Sequence, residues 1–177
     1  MNTRATTPVV RKTDDILGLA GKYLTFRLAN EEYGIEIVKV QEIIGVLPEA
    51  KLPLVPKYVR GIINLRGRVI PTINLRTKFG LPLTPDTDKT CTIVVEMKGP
   101  AGSHSFGIVV DEVAEVMNVG ADQVEAAPDF GATLNSRFIR GVGLIDGAVK
   151  ILLDIDQVLT DAEFAALREH APQQLVS

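Results

Sequence analysis

Tyr33-Gly34-Ile35-Glu36-Ile37-Val38-Lys39-Val40-Gln41-Glu42-Ile43 and Phe106-Gly107-Ile108-Val109-Val110-Asp111-Glu112-Val113-Ala114-Glu115-Val116 align without a gap. Gly, Ile, Val and Glu recur identically, and most other positions keep their apolar character. A second pair of blocks follows in the same order. Tyr58-Val59-Arg60-Gly61-Ile62 matches Phe138-Ile139-Arg140-Gly141-Val142, and Gly67-Arg68-Val69 is echoed by Gly147-Ala148-Val149. Ordered blocks that retain glycines and a charged residue point to an internal duplication rather than to chance likeness between apolar strands. Glycines recur in such a repeat because bulges and tight barrel corners need backbone that a Cβ would obstruct.

Around these blocks, from Lys22 onward, short apolar segments alternate with turn signals, the pattern of a small β-barrel protein. Tyr23-Leu24-Thr25-Phe26-Arg27-Leu28 alternates with period two, and Asn30-Glu31-Glu32 turns it into the first repeated block. Val69-Ile70-Pro71-Thr72-Ile73-Asn74-Leu75 reads as a strand whose Pro71 faces an edge or a bulge. Thr92-Ile93-Val94-Val95-Glu96-Met97 and Ser105-Phe106-Gly107-Ile108-Val109-Val110 flank a Gly-rich loop as a hairpin. Lys150-Ile151-Leu152-Leu153-Asp154-Ile155 reads as a strand buried on both faces. The expected fold is all-β, with two barrel lobes of about five strands each, spanning residues 21–88 and 89–158. Residues 1–20 lack periodicity and read as a flexible N-terminal tail. Thr160-Asp161-Ala162-Glu163 fits a capping box with Leu159 and Phe164 as its staple, so a C-terminal helix is expected over 160–172.

The 177 residues carry 19 basic and 22 acidic side chains, a net charge of −3 that argues against bulk coating of nucleic acid. Cys91 is the only cysteine, which removes intrachain disulfides and cysteine-built zinc cages. His104 reads as part of the Gly-rich hairpin loop and His170 lies near the end of the helical pattern, neither with an orienting partner for acid–base work. Gly141-Val142-Gly143-Leu144-Ile145-Asp146-Gly147 has a dinucleotide-loop look, but its last spacing is too long and no helix follows. Asp154 and Asp156 share one face of a strand-like run without completing a calcium loop, and read as a solvated strand edge. No catalytic residue, metal site or cofactor is therefore expected. No stretch approaches the roughly 20 apolar residues of a membrane span, and no signal-peptide pattern opens the chain, so a cytoplasmic location is expected.

Between Lys57 and Lys78 the chain has six basic residues and no acidic one. Arg60 through Arg68 are interleaved with Val59, Ile62, Ile63 and Leu65, the composition of an interface hot spot. Asp146 stands where Arg66 stands in the first half, so the repeated architecture does not demand that positive charge. An OB-like single-strand nucleic-acid binder competes, but aromatics are only 5% and Trp is absent, leaving few stacking platforms.

Glu32-Tyr33-Gly34-Ile35-Glu36-Ile37, Val40-Gln41-Glu42-Ile43 and Gly61-Ile62-Ile63-Asn64-Leu65-Arg66-Gly67 followed by Ile70-Pro71 resemble the CheW family of bacterial chemotaxis coupling proteins. Phe106-Gly107-Ile108-Val109-Val110-Asp111, Ala127-Pro128-Asp129-Phe130 and Ile139-Arg140-Gly141 extend the likeness through the second half. The resemblance implies a CheW-like domain over 21–160, built as two intertwined five-stranded SH3-like/OB-like β-barrel lobes that exchange elements. It implies a non-enzymatic adaptor, without cofactor, that joins the cytoplasmic tip of chemoreceptors to the regulatory domain of the histidine kinase CheA. The matching receptor-groove positions are Val40, Glu42, Ile43, Gly61, Asn64, Leu65, Arg66 and Thr90, with Gly107 and Gly141 shaping the groove. The kinase-binding residues are not assigned by the likeness. A monomer that enters rings in membrane-associated receptor arrays is implied, without nucleic acid or direct membrane insertion; a paralogous scaffold of another array fits equally. The family's usual Asp is replaced here by Asn74, which removes a charge that could pair with Arg66 or Arg76.

Because the tail lacks the periodicity needed to dock, deleting residues 1–18 is expected to leave folding and binding nearly unchanged. Thermal unfolding of the truncated chain checks this; a large drop in melting temperature would place the tail in the fold.

Overall fold

The computed structural model describes residues 18–99, 102–126, 138–159 and 163. The expected terminal helix (apart from Glu163), the Ala127–Phe130 motif and His170 lie outside the described residues. The strands are β1 (Gly21–Leu28), β2 (Glu31–Glu36), β3 (Val40–Gly45), β4 (Val59–Leu65), β5 (Arg68–Asn74), β6 (Cys91–Gly99), β7 (Gly102–Val110), β8 (Glu112–Val119), β9 (Val124–Ala126), β10 (Ile139–Ile145) and β11 (Ala148–Leu153). Two single-turn helices, α1 (Leu75–Lys78) and α2 (Ile155–Val158), follow β5 and β11. Each is capped by the residue before it: the Asn74 side chain accepts from the Thr77 N–H and that of Asp154 from the Asp156 N–H. Asp154 is thus a cap rather than an exposed strand residue.

One sheet has the order β8-β1-β2-β11-β10-β9 and the other β3-β6-β7-β5-β4. Neither draws on one half of the sequence. The β1–β2 hairpin lies among second-half strands, and the β6–β7 hairpin lies among first-half strands. Mapping β1 to β5 onto β6, β7, β8, β10 and β11 makes the two strand orders identical, with β9 as an addition. The duplication read from the sequence therefore reappears as topology, and the lobes are spatial units that mix residues from both sides of position 88. The halves are stitched where β5 runs parallel to β7 and β11 runs parallel to β2. Pro71 lies on inner strand β5, not on an edge, but the β5–β7 ladder begins only at Thr72.

The repeated glycines have repeated causes. Each half ends in a two-residue hairpin turn at positive φ, Arg66 (53°) and Gly67 (83°) in one, Asp146 (53°) and Gly147 (78°) in the other. Each preceding strand carries a bulge, at Gly61 and at Gly141. A Cβ on Gly61 would stand 2.4 Å from the Ala50 carbonyl oxygen, and one on Gly141 2.5 Å from that of Glu125. The backbone crosses there because Ala50 bridges Ile62 just as Glu125 pairs with Val142.

Apolar burial follows the exchange. The main core draws Leu24, Phe26 and Ile35 from one sheet and Ile73, Ile93, Phe106 and Ile108 from the other. Each lobe keeps a small core of its own: Ile63, Ile70 and Val94 in one, Tyr23, Val119, Val124, Ile145 and Leu152 in the other. Leu19, inside the expected tail, is buried in the latter, and its carbonyl accepts from the Tyr23 hydroxyl at 2.7 Å. Gly61→Ala and Gly141→Ala should each destabilise the protein by about 1–3 kcal/mol, since backbone rather than a flexible side chain opposes the added methyl. Urea unfolding of both variants measures this, and a neutral result at either would contradict the shared crossing geometry.

Candidate partner-binding site

The strands β3 and β4 are the two outer strands of the five-stranded sheet, yet they meet in space. Ile44 and Leu47 from the β3 side and Leu65 from β4 all pack against the buried cluster of Ile63, Ile70 and Val94, so the sheet curls while its ladder stays open between β3 and β4. An ion pair spans that opening. Arg66, on the β4–β5 turn, directs its planar fork at Glu42 of β3, with N–O distances of 2.5 and 2.6 Å. Asn64 steadies the turn by accepting the Gly67 N–H at 2.9 Å. Hydrogen bonds from Arg66 hold the Glu42 carboxyl below its usual range, and Glu42 pushes the guanidinium further up. The Arg66 side chain is nevertheless 73% exposed, so the clasp faces solvent.

Of the positions carried over from the resemblance, Glu42, Asn64 and Arg66 form this clasp, Val40 and Ile43 share strand β3 with Glu42, and Leu65 ends β4 just before the turn. Ile43 is exposed, while Val40 and Leu65 are half-buried. Gly61 and Gly107 are buried inside the same sheet and shape it from within. Thr90 belongs to a turn in which its hydroxyl accepts the Thr87 N–H, before β6 opens opposite Gly45. Gly141 lies in the other sheet.

The basic run is not a free basic surface. Arg60 is gripped by Glu49 at 2.9 Å and by Asp86 at 2.7 Å, Arg76 by Asp111 at 2.5 Å, and Lys78 by Glu163 at 2.6 Å. Lys78 also stands over the Tyr58 ring, 4.2 Å from its centre. Lys57 and Arg68 remain exposed, Arg68 donating to the Ser105 hydroxyl. Sequence reasoning missed these pairs because their carboxylates come from distant segments. The hydrogen bonds from Arg60 draw the Asp86 carboxyl below its ordinary value, and the guanidinium is pushed up in return. Asn74 leaves no cation stranded: Arg76 takes Asp111 and Arg66 takes Glu42. Among the described residues the aromatics serve the interior. Tyr23, Phe26 and Phe106 are buried, and Phe79 stacks on Phe138 with centroids 4.5 Å apart. Such rings are not available to stack on nucleic-acid bases. His104 lies on β7 opposite Met97, not in the hairpin loop.

A family model described as a CheW-like domain matches residues 22–163. The chain belongs to the CheW family. The chemotaxis protein CheW of Klebsiella aerogenes is 38% identical over 144 residues, covering 81% of this chain and 84% of that protein. CheW of Rhizobium meliloti is 31% identical, over 79% of this chain and 88% of that one. The crystal structure of the scaffolding protein TtCheW from Thermoanaerobacter tengcongensis is similar with a TM-score of 0.71 and 30% identity, covering 80% of this chain and 93% of that one. The exchanged two-sheet fold is thus the CheW fold, and CheW proteins are non-enzymatic scaffold adaptors of chemotaxis.

One ion pair of this CheW domain makes a pH prediction. Burial pushes the Asp111 carboxyl up, but hydrogen bonds from Arg76 and from the Ala29 N–H outweigh it and the net direction is down. A depressed carboxyl stabilises the fold above its unfolded value of about 3.9, and that contribution is lost as pH falls through the lower folded value. Asp111→Asn should therefore be less stable than wild type near neutrality, with the two unfolding free energies drawing together as pH falls below the unfolded value of about 3.9. Denaturant titrations across this range test it; parallel curves would mean that the carboxyl titrates alike in both states.

Proposed function

We propose that this chain couples the cytoplasmic tips of chemoreceptors to the histidine kinase CheA, with the clasp between β3 and β4 as the receptor-facing site. The observation that supports the reading is the solvent-facing Glu42–Arg66 pair, which joins β3, the strand of Val40 and the exposed Ile43, to the turn that follows Leu65. A helical hairpin entering such a groove is held by a few aliphatic anchors, the helix-in-groove mode of recognition. Arg66 offers a planar donor fork to a carboxylate or to carbonyls at a helix end, while Glu42 fixes orientation. Asn64 supports this by holding the turn that presents the arginine.

The kinase side is proposed on exposed strands of the other lobe. At the places corresponding to Glu42, Ile43, Asn64 and Arg66 that lobe has Glu115, Val116, Leu144 and Asp146. Val116, Leu144 and Val149 are exposed there, and Leu144 pairs across the hairpin with Val149. A pseudo-symmetric pairing of such a lobe with the like-folded regulatory domain of CheA would propagate into rings beneath membrane-bound receptors. On this reading the chain is a monomer in isolation and reaches the membrane only through its partners.

Arg66→Ala should keep an unfolding midpoint close to wild type yet weaken receptor binding roughly thirtyfold, the scale of an interface-centre arginine. Arg66→Asn controls for the backbone, because Asn tolerates the left-handed conformation. Arg66→Glu should weaken binding further through repulsion. CheA affinity should change less in all three. Titration against receptor-tip fragments and the CheA regulatory domain, beside thermal unfolding, reads these together. Unchanged receptor affinity would remove Arg66 from the site, and binding of neither partner by the wild type would overturn the function.

A further inference from the structure

A cleft of about 330 Å³, the size of a small-molecule site, opens between the chain leading into β4 and residues 83–86. Arg60 links the two segments, reaching Glu49 of the first at 2.9 Å and Asp86 of the second at 2.7 Å. The opening is therefore fixed before anything enters it. The same contacts occupy the carboxylates of the lining. Both Glu49 oxygens accept from the Arg60 Nε, one of them also from the Thr72 hydroxyl, and both Asp86 oxygens accept from the terminal nitrogens of Arg60.

The side-chain groups of the lining left without a partner among the described residues all carry donors. They are the ammonium groups of Lys51 and Lys57, the hydroxyls of Thr77 and Thr84, and the amide nitrogen of Asn74. Asn74 decides the reading. It is only 8% exposed, and its side-chain oxygen accepts the Thr77 N–H, yet its Nδ2 donates to no described group. No fully buried side-chain nitrogen or oxygen lacks a partner among the described residues, so this nitrogen meets solvent. Asn74 lines this cleft and a narrower crevice that shares the Thr84–Asp86 wall. Three cations and two carboxylates leave the cleft one positive charge in excess. An Asp at position 74 would cancel that excess and put an acceptor where the free donor stands. We propose that the cleft binds a small organic dianion, a dicarboxylate or a phosphate ester. Asn74, Thr77 and Thr84 donate to its oxygens, the exposed Lys51 and Lys57 supply the matching charges, and its aliphatic body lies against Val59 and Leu83. Glu42, Asn64, Leu65 and Arg66 are not part of the lining, so this site is independent of the clasp.

The test follows the side-chain amide resonances of Asn74 in the full-length, isotopically labelled chain during titration with succinate, with glycerol phosphate and with a diamine of similar length. At least one anion should shift these resonances and the backbone amides of Thr77 and Thr84 to saturation, with affinity falling as salt rises, and the diamine should not. The tighter anion tells carboxylate from phosphate recognition. Asn74→Asp should keep a melting temperature close to wild type, because either residue caps α1, and should weaken anion binding by about tenfold or more. Lys51→Gln and Lys57→Gln, both at exposed positions, should weaken binding without altering the fold. Arg66→Asn should bind the anion like wild type. No shift at Asn74 with either anion, an equal response to the diamine, wild-type affinity in Asn74→Asp, or wild-type affinity in both lysine variants would each overturn the proposal.

Discussion

Two short parallel ladders hold the molecule together: Thr72, Ile73 and Asn74 beside Gly107, Ile108 and Val109, and Lys150, Ile151 and Leu152 beside Glu32, Tyr33 and Gly34. Parallel neighbours need a long crossover, and here each half of the chain supplies it by sending its first hairpin into the other half's sheet. Removing either half would strip two inner strands from the remaining sheet, so a duplicated sequence folds as one cooperative body. The crossing also dictates residues. A Cβ on Gly107 would lie 2.7 Å from the Thr92 methyl and 3.1 Å from that of Thr72, and one on Gly34 would lie 3.2 Å from a Leu152 methyl. The repeated aromatic-Gly-Ile signature is the imprint of strands that must approach that closely.

Around each crossing a charged pair ties a helix to a strand junction, and the two pairs have opposite polarity. Arg76 of α1 meets Asp111 between β7 and β8, whereas Asp156 of α2 meets Lys39 between β2 and β3. In both cases the carboxylate also accepts a hairpin N–H, from Ala29 through Asp111 and from Lys98 through Asp156. The frame therefore requires one ion pair with an acceptor to spare, and is indifferent to which element carries which sign. These side chains are partly screened from water, which gives the pairs more weight than exposed ones.

How much could be read in advance follows from these distances along the chain. The repeats, the hairpins and the Gly61 and Gly141 corners were legible because each is local and leaves a glycine or an alternating pattern. The exchange of hairpins came from the family likeness, not from periodicity, since pairing partners leave no trace in a single strand's alternation. The basic run looked free because Glu42, Asp86, Asp111 and Glu163 lie far from the cations they neutralise. Pro71 suggested an edge or a bulge because proline cannot donate to a ladder; it lies on an inner strand beside the bulge at Gly61, and the β5–β7 ladder starts one residue later. Asn74 looked like a lost charge and is a helix cap, a role that either Asn or Asp performs.

The two hairpin turns show how a duplicated frame acquires unlike faces. Gly67 and Gly147 absorb the second positive-φ position of each turn, so the residue before each is bound by backbone conformation and not by packing. Its side chain points to solvent, and its chemistry is free to diverge at small cost to the fold. One lobe places Arg66 there and closes its seam with the Glu42 ion pair; the other places Asp146 there and leaves Val116, Leu144 and Val149 uncovered nearby in the same sheet. A scaffold adaptor needs surfaces that differ in charge and polarity while staying fixed relative to one another. Exchanged hairpins supply the fixed relation, and the tolerant turn positions supply the difference.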